Sequence, residues 1–516
     1  MMQTMSSAQA AQWLKARVSG GLHCDSRKIG PGDGFVAWPG AATDGRRFVA
    51  DAIGAGAVGA VVERAGVEGF ALDAQPVVAV AGLKSLAGEL AATYYDRPSQ
   101  SLDVLAVTGT NGKTSTAWWL AQLLNALGRP SGLVGTLGVG MPGRERAAGQ
   151  ALELEKTGLT TPDPVLLQAQ LRRMVDGGAS ACVLEASSIG LEEGRLNATR
   201  IAVGLLTNVS QDHLDYHGDM DAYWRAKQRL FAWEGMEAAV INVDDARGDS
   251  LARHLSAEAR LDVWTVTVQG RDARMSAEGI AHTPTGMRWT LVERNAGQEV
   301  TNKVDVSLPF VGDYNIHNLL CVAAGARALG IDFERVADAL EVLTAVPGRM
   351  EPVASVDGVP LVLIDYAHTP DALEKALSAL VPLAKARGGR LGVVAGCGGD
   401  RDRSKRPLMA AAAERLAQTV ILTSDNPRSE SPDAILAEMV AGLQQPSAAV
   451  VETDRAKAIA LAVQNADPKD IVLIAGKGHE DYQEVAGVRM PFSDQEQARK
   501  ALSARTSVSG SQEVIQ

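Results

Sequence analysis

An apolar run, LDVLAVTG, enters the loop GTNGKT at Gly109, and the loop opens straight into STAWWLAQLLNALG, whose bulky residues Trp118, Trp119, Leu123, Leu124 and Leu127 recur at helical spacing. Strand, glycine turn and helix in immediate succession commit this stretch to an α/β layer and form the context a phosphate loop requires. The common phosphate-loop pattern would place glycine at position 107, where this chain has Val107, so the loop is a shortened variant. Its remaining parts keep their chemistry. Gly109 and Gly112 let backbone N–H groups approach phosphate oxygens at a helix start, where the dipole favours anions. Lys113 can reach β and γ phosphates, and the Thr114 hydroxyl can ligate magnesium. Gly109, Thr110, Asn111, Gly112, Lys113, Thr114 and Ser115 are therefore the candidate nucleotide-phosphate residues.

The same alternation of apolar runs and polar clusters extends along the chain. At 516 residues the sequence is too long for one core. Residues 1–100 carry GFVAWPG, AVGAVVE and PVVAVA between glycine-rich turns, and end at a Pro-Ser-Gln linker. Residues 101–347 add ASACVLEASS, IAVGLLTNVS and AAVINVDD, the pattern of a parallel sheet covered by helices. In residues 348–516, the runs PLVLIDYAH, RLGVVAGCGG, TVILTSDNPR and DIVLIAGKGHE each end in a polar cluster. Ligands of open parallel sheets bind beyond the carboxyl ends of strands, so these four clusters are expected to share one cleft. The tail TSVSGSQEVIQ reads as disordered.

Charge and cysteine usage narrow the function classes. A net charge of −11 argues against broad binding to nucleic acid or an anionic membrane, and points to small-molecule partners. Four scattered cysteines, with no CxxC pair, give neither a zinc site nor a disulfide framework. The first twenty residues lack a signal peptide's basic start and apolar core, and no apolar run reaches spanning length, so a cytoplasmic protein without membrane insertion is expected. Two short matches point elsewhere: DYHG (Asp215 to Gly218) fits a GTPase switch pattern and NKVD (Asn302 to Asp305) a guanine-reading one. Both are short enough to recur by chance, and NKVD follows the polar ERNAGQEVT where a GTPase needs a buried strand.

Taken in order, GTNGKT, TNVSQDHLDYHG, YNIHN, PGRME, DYAHTPDAL, GCGGDRD, DNPR and GKGHE closely resemble the Mur ligase family, from DSR at Asp25 to GKGHE. The resemblance implies a working phosphate loop without glycine at 107. It also implies three α/β domains: a small uridine-binding N-terminal one (1–100), a central parallel-sheet ATPase (101–347) and a Rossmann-like C-terminal one for the incoming amino acid (348–516). Within the family the pattern is similar to members that use ATP and magnesium to join meso-diaminopimelate to UDP-N-acetylmuramoyl-L-alanyl-D-glutamate through an acyl phosphate, in peptidoglycan synthesis. The lysine-adding relatives and folylpolyglutamate synthase share much of the machinery, and DNPR and DSR respectively argue against them. A monomer is expected.

Site residues follow from the same resemblance. Two magnesium ions are implied, with Thr114, Glu185, His213 and a carbamylated Lys227 as ligands, and Lys113, Glu185, His213 and Lys227 as catalytic residues. Asn315, His317, Arg349, Asp365 and His368 match the adenine, ribose and phosphate contacts. Ser26, Thr160, Thr161, Ser187 and Arg195 match the nucleotide-sugar peptide positions, and the Arg195 fork suits a carboxylate. Arg401, Asp425, Asn426, Pro427, Arg428, Gly476 and Glu480 match contacts to the head of diaminopimelate that carries its distal carboxylate. There are departures: Ile189 and Glu193 replace the histidine and glutamine that relatives often carry, and Ala41 and Ala42 replace polar residues near the uridine. Glu193 is accordingly not expected to touch an anionic substrate.

Overall fold

The computed structural model describes residues 3–40, 43–72, 75–142, 154–283, 286–353 and 358–512, with side chains as far as 505. Ala41 and Ala42 lie outside the described residues. The chain divides into two compact units. One comprises Met1–Ser276, Val292–Asn302 and His317–Leu343; the other comprises Ala277–Leu291, Lys303–Ile316 and Thr344–Gln516.

The first unit holds two sheets. Strands β1 (Gln3–Thr4), β2 (Leu22–His23), β3 (Gly34–Ala37), β4 (Gly59–Glu63) and β5 (Val77–Val80) form a parallel sheet in the order β1-β5-β4-β3-β2. Glycine-led β3 and valine-rich β4 and β5 are buried throughout, as strands covered on both faces must be. The second sheet uses β6 (Asp103–Thr108), β7 (Ser131–Gly135), β8 (Gly138–Gly140), β9 (Ala181–Glu185), β10 (Val203–Leu206), β11 (Ala238–Asn242), β12 (Asp262–Thr267) and the start of β13 (Met275–Thr283), in the order β8-β7-β9-β6-β10-β11-β12-β13. Within this run only the β7–β8 pair is antiparallel. The phosphate-loop strand β6 therefore sits centrally, and the polar ends of its parallel neighbours β9 and β10 open beside it. NKVD falls inside the strand β15 (Val300–Leu308), which follows β14 (Gly286–Arg294), so it is sheet backbone and not a strand-end reading loop.

In the second unit, β16 (Glu351–Pro352), β17 (Leu361–Asp365), β18 (Leu391–Ala395), β19 (Thr419–Thr423), β20 (Val450–Glu452) and β21 (Ile471–Ala475) form a sheet ordered β16-β17-β21-β18-β19-β20. Strands β17 to β21 are parallel and β16 runs opposite. The four expected strand ends are thus neighbours on one edge. A hairpin of β22 (Tyr482–Val485) and β23 (Val488–Pro491) follows. The tail expectation needs correction: the backbone from Thr506 to Gln512 continues the helix Asp494–Gln512. Serine and glycine mark it as a poor helix former, but buried Asp494, Ala498, Ala501 and Leu502 nucleate the helix upstream, and elongation is far easier than initiation. No helix among the described residues is long and apolar enough to cross a membrane.

Candidate active site

The phosphate loop leaves the end of β6 with its backbone strapped to the segment after β10. The Thr110 N–H donates to the Asn208 carbonyl (2.8 Å), the Asn111 N–H to Asn208 Oδ1 (3.0 Å), and Thr207 Oγ1 to the Asn111 carbonyl (2.6 Å). Gly109 takes φ +146°, and a Cβ there would overlap Thr207 Oγ1, so only glycine fits. The following helix, Lys113–Ala126, has no side-chain cap, whereas Pro164–Asp176, Met220–Gln228 and Ala246–Glu258 are capped by Asp163, Asp219 and Asp245. Its first N–H groups remain suited to an anionic ligand. Lys113 Nζ folds back onto the Gly109 and Thr110 carbonyls, 2.9 Å from each. Ser115 is buried in the first turn.

A chain of hydrogen bonds runs from this loop to the sites matched to the peptide substrate. Thr114 Oγ1 donates to Glu185 Oε2 (3.0 Å), and Thr136 donates to both Glu185 oxygens, through its N–H (2.8 Å) and its hydroxyl (3.1 Å). Thr160 and Thr136 share a hydroxyl contact of 3.0 Å. Thr161 Oγ1 donates to the Glu185 carbonyl (2.8 Å) and lies 2.9 Å from Ser187 Oγ, which caps the helix Ser188–Glu192 by accepting from the Gly190 N–H. Arg195 Nη1 donates to the Thr161 carbonyl (2.9 Å). Thr114, Glu185, Thr160, Thr161, Ser187 and Arg195 are thereby brought together. Ser26 stands elsewhere, opening a short turn capped by Asp25.

Lys227 is 1% exposed, and its Nζ donates to the Gly109 carbonyl (2.7 Å) above the Tyr223 ring. Burial, aided by the nearby Lys113 charge and opposed by Asp212, pushes its amine well below the ordinary lysine range. His213 is 46% exposed, takes φ +51° and pairs with Asp212 at 3.5 Å. Among the described residues no three His, Cys, Asp or Glu side chains cluster as a metal site. A hard cation here would therefore draw on Thr114 and Glu185, whose oxygens already converge, and on a lysine converted to an oxygen donor; these groups suit magnesium. Glu193, the departure from relatives, is held by Lys84 Nζ (2.6 Å) and by the Tyr216 hydroxyl (2.6 Å), and these two partners keep its carboxyl below the usual range.

His317 bonds Asp244 Oδ2 (2.9 Å); burial raises the Asp244 carboxyl, but this bond, Thr267 and the Val268 N–H outweigh it and hold it low. In the second unit, Asn315 turns its amide onto the Val311 carbonyl (2.7 Å). Arg349 stacks on Tyr366 at 4.7 Å. Asp365 accepts from the Met350 and Ala367 N–H groups, both at 2.8 Å, and burial raises its carboxyl against these donors and Arg349. His368 Nδ1 bonds the Tyr366 carbonyl (2.8 Å).

The ends of β19 and β21 bring the DNPR and GKGHE residues together. Gly476, at φ +117°, packs so closely on Asp425 that a side chain would clash with its carboxylate. Asn426 Nδ2 donates to Glu480 Oε2 (2.8 Å). Arg428 adopts φ +52°, its Nη1 donates to the Gly399 carbonyl (2.7 Å), and its own N–H and carbonyl pair with the hairpin at Glu484 and Ala486. Pro427 lies between them with its carbonyl against Gly399. Arg401 is exposed and donates to the Asp400 carbonyl at 3.4 Å. Several residues of these networks were not picked out from sequence, Thr136, Asp244 and Lys477 among them. Thr136 follows a short strand that glycines disguise, Asp244 stands next to last in AAVINVDD and was open to the same strand-end argument as DNPR, and Lys477, which donates to Asn426 Oδ1 and Glu480 Oε2, lies inside GKGHE itself.

Three family models match the chain: the Mur ligase middle domain over residues 107–326, the Mur ligase glutamate ligase domain over 348–478, and the Mur ligase family catalytic domain over 20–95. The chain is 51% identical over 507 residues to the UDP-N-acetylmuramoyl-L-alanyl-D-glutamate–2,6-diaminopimelate ligase of Acidovorax sp., spanning 97% of this chain and 98% of that one. It is 45% identical over 513 residues to the ligase of the same name from Ralstonia nicotianae, 96% of each. A solved structure of a UDP-N-acetylmuramoyl-L-alanyl-D-glutamate–2,6-diaminopimelate ligase is similar at TM-score 0.65 and 34% identity, over 94% of this chain and 95% of that one. The MurF ligase from Thermotoga maritima in complex with ADP shares the fold at 18% identity and TM-score 0.61, over 95% and 99% of the two chains. Matched from its N-terminal sheet to GKGHE, the chain belongs to the Mur ligase family.

Proposed function

We propose that this chain is a ligase that uses ATP to join meso-2,6-diaminopimelate to UDP-N-acetylmuramoyl-L-alanyl-D-glutamate, in the cytoplasm, for peptidoglycan synthesis. The observation that carries the reading is the unbroken hydrogen-bonded path from Thr114 through Glu185 and Thr161 to Arg195, which couples a phosphate loop to a carboxylate-binding arginine. A carboxylate does not accept an amine directly, because its oxygen leaves poorly. Phosphorylation by ATP gives an acyl phosphate, and the amine then displaces phosphate.

Transferring a phosphoryl group onto an anion crowds negative charge, so positioned cations supply most of the catalysis. Lys113 and the uncapped helix start bind the phosphates. Arg195 orients the glutamyl carboxylate and Glu193, neutralised by Lys84, does not oppose it. Magnesium, when bound by Thr114 and Glu185, supplies Lewis-acid neutralisation of the phosphate oxygens. The depressed Lys227 amine suits carbamylation, since carbon dioxide reacts with neutral amine, and a carbamate with His213 gives a place for a second ion. His317, Asn315, Arg349, Asp365 and His368 serve the nucleotide, Ser26 the uridine end, and Arg428, Asn426 and Glu480 the amino acid. The test is ADP release with UDP-N-acetylmuramoyl-L-alanyl-D-glutamate and each candidate amine. Rapid release with diaminopimelate and little with lysine is expected; equal rates, or dependence on folate substrates, would overturn the reading.

A further inference from the structure

The second unit contains a lysine buried completely among its own polar groups. Lys477 is 0% exposed, with Nζ 3.1 Å from Asn426 Oδ1 and 3.2 Å from Glu480 Oε2. An amide can present either end to a neighbour, and which end it presents is set by its surroundings. Asn426 Oδ1 accepts from Lys477 and from the Glu484 N–H (3.0 Å), so both donors fix the oxygen inward and leave Nδ2 facing Glu480 Oε2. Glu480 Oε2 is thus engaged twice, by a cation and an amide, while Oε1 has no hydrogen-bond partner among the described residues and its side chain is 20% exposed. The backbone beneath is equally fixed. Arg455, fully buried with Asp494, donates to the Ser424 and Ala475 carbonyls at 3.3 and 3.0 Å, tying together the strand ends that bear Asn426 and Lys477.

We infer that Lys477 is the positioning residue of the amino-acid pocket: it locks the Asn426 amide and one Glu480 oxygen so that the other, Oε1, is presented to the ammonium group of a zwitterionic substrate head whose carboxylate pairs with Arg428. The inference rests on the assignment of Asn426, Arg428 and Glu480 to that pocket. Without Lys477 the amide oxygen keeps only the Glu484 N–H, and Glu480 loses its cation and relaxes towards water, so the substrate head meets an acceptor it must first organise. A positioning role acts on one substrate alone.

The test is steady-state kinetics of Lys477→Met with each of the three substrates varied. The KM for diaminopimelate should rise about 30-fold or more, with the KM for ATP and for the nucleotide-sugar peptide changed by less than about 3-fold. A parallel rise in all three, or a fall in kcat alone, would mark a structural role and overturn the inference, as would unchanged kinetics. Glu480→Gln and the double variant provide a second arm that leaves no unbalanced carboxylate if the single variant does not fold. If Lys477 acts through Glu480, adding Lys477→Met to Glu480→Gln should change the diaminopimelate KM by less than about 3-fold, whereas multiplying effects would refute it. Should Arg428→Ala and Glu480→Gln also leave that KM unchanged, the pocket assignment itself fails.

Discussion

The phosphate loop and the DNPR–GKGHE pocket both contain a buried or half-buried lysine, and they use it in opposite ways. Around the loop, Lys113 and Lys227 lean on the carbonyls of Gly109 and Thr110, which are dipoles without a full negative charge. In the pocket, Lys477 is matched by the carboxylate of Glu480 inside the site. The first arrangement brings two ammonium groups onto the carbonyls of one short loop, where the charge of a polyanion is favoured. The second is close to electroneutral before any ligand arrives, so recognition there depends on where hydrogen-bonding groups point and on whether each is paired. In the proposed function, catalytic electrostatics and selectivity fall to different strand ends.

The largest effect should come from removing charge at the loop. Lys113→Ala should lower kcat about 10³-fold or more with circular dichroism unchanged, because a transition-state charge partner is lost. A loss confined to KM would mean that loop and pocket do not differ as described. Next, Arg428→Ala should shift the ratio of kcat/KM for diaminopimelate over lysine by about 10² or more, since a site with an unpaired polar group discriminates strongly against analogues that lack its partner. An unchanged ratio would move selectivity to Arg401 or Glu480.

Much of the comparison was legible in the sequence. The apolar runs ending at Thr108, Asp365, Ala395, Thr423 and Ala475 all became parallel strands, because buried strands need no alternation and are read as continuous hydrophobic stretches. The hairpin Tyr482–Pro491 was not, since its strands are four residues each and at least partly exposed, with Val488 and Met490 on the surface and not in a core. Motifs located Glu185, Thr161, Ser187 and Arg195, but not the wiring. That Lys227 would donate to Gly109, 118 residues away, is a property of strand order rather than local pattern. Asn315 shows the reverse case, a motif residue whose amide satisfies its own chain at Val311.

Smaller effects refine the loop side. A lysine with depressed folded pKa binds fewer protons folded than unfolded, between that value and about 10.4, so stability rises with pH across this window by at most about 1.4 kcal/mol per pH unit. Chemical denaturation in carbon-dioxide-free buffer should show this slope, and Lys227→Met should flatten it. Activity in the same buffer should fall several-fold and return with bicarbonate; indifference to bicarbonate would remove the carbamate. The smallest change is expected from Glu193→Gln. A glutamine keeps one acceptor oxygen for Tyr216 or Lys84 and loses the other contact, and partly exposed ion pairs contribute about 1 kcal/mol or less, so the KM for the nucleotide-sugar peptide should move less than about 3-fold. A larger shift would make Glu193 a substrate contact.

The hairpin stitched to Arg428 also sets an order of events during synthesis. Asp425 and Asn426 take hydrogen bonds from Gln483 and Glu484, partners that leave the ribosome 58 residues later, while Arg428 waits for Glu484 and Ala486. Every strand of the phosphate-loop sheet has been translated long before then. A nascent chain thus carries the whole phosphate loop well before it carries the partners that fix the DNPR residues, and a nonsense mutation between 476 and 481 would encode the loop without the hairpin on which Asp425, Asn426 and Arg428 close.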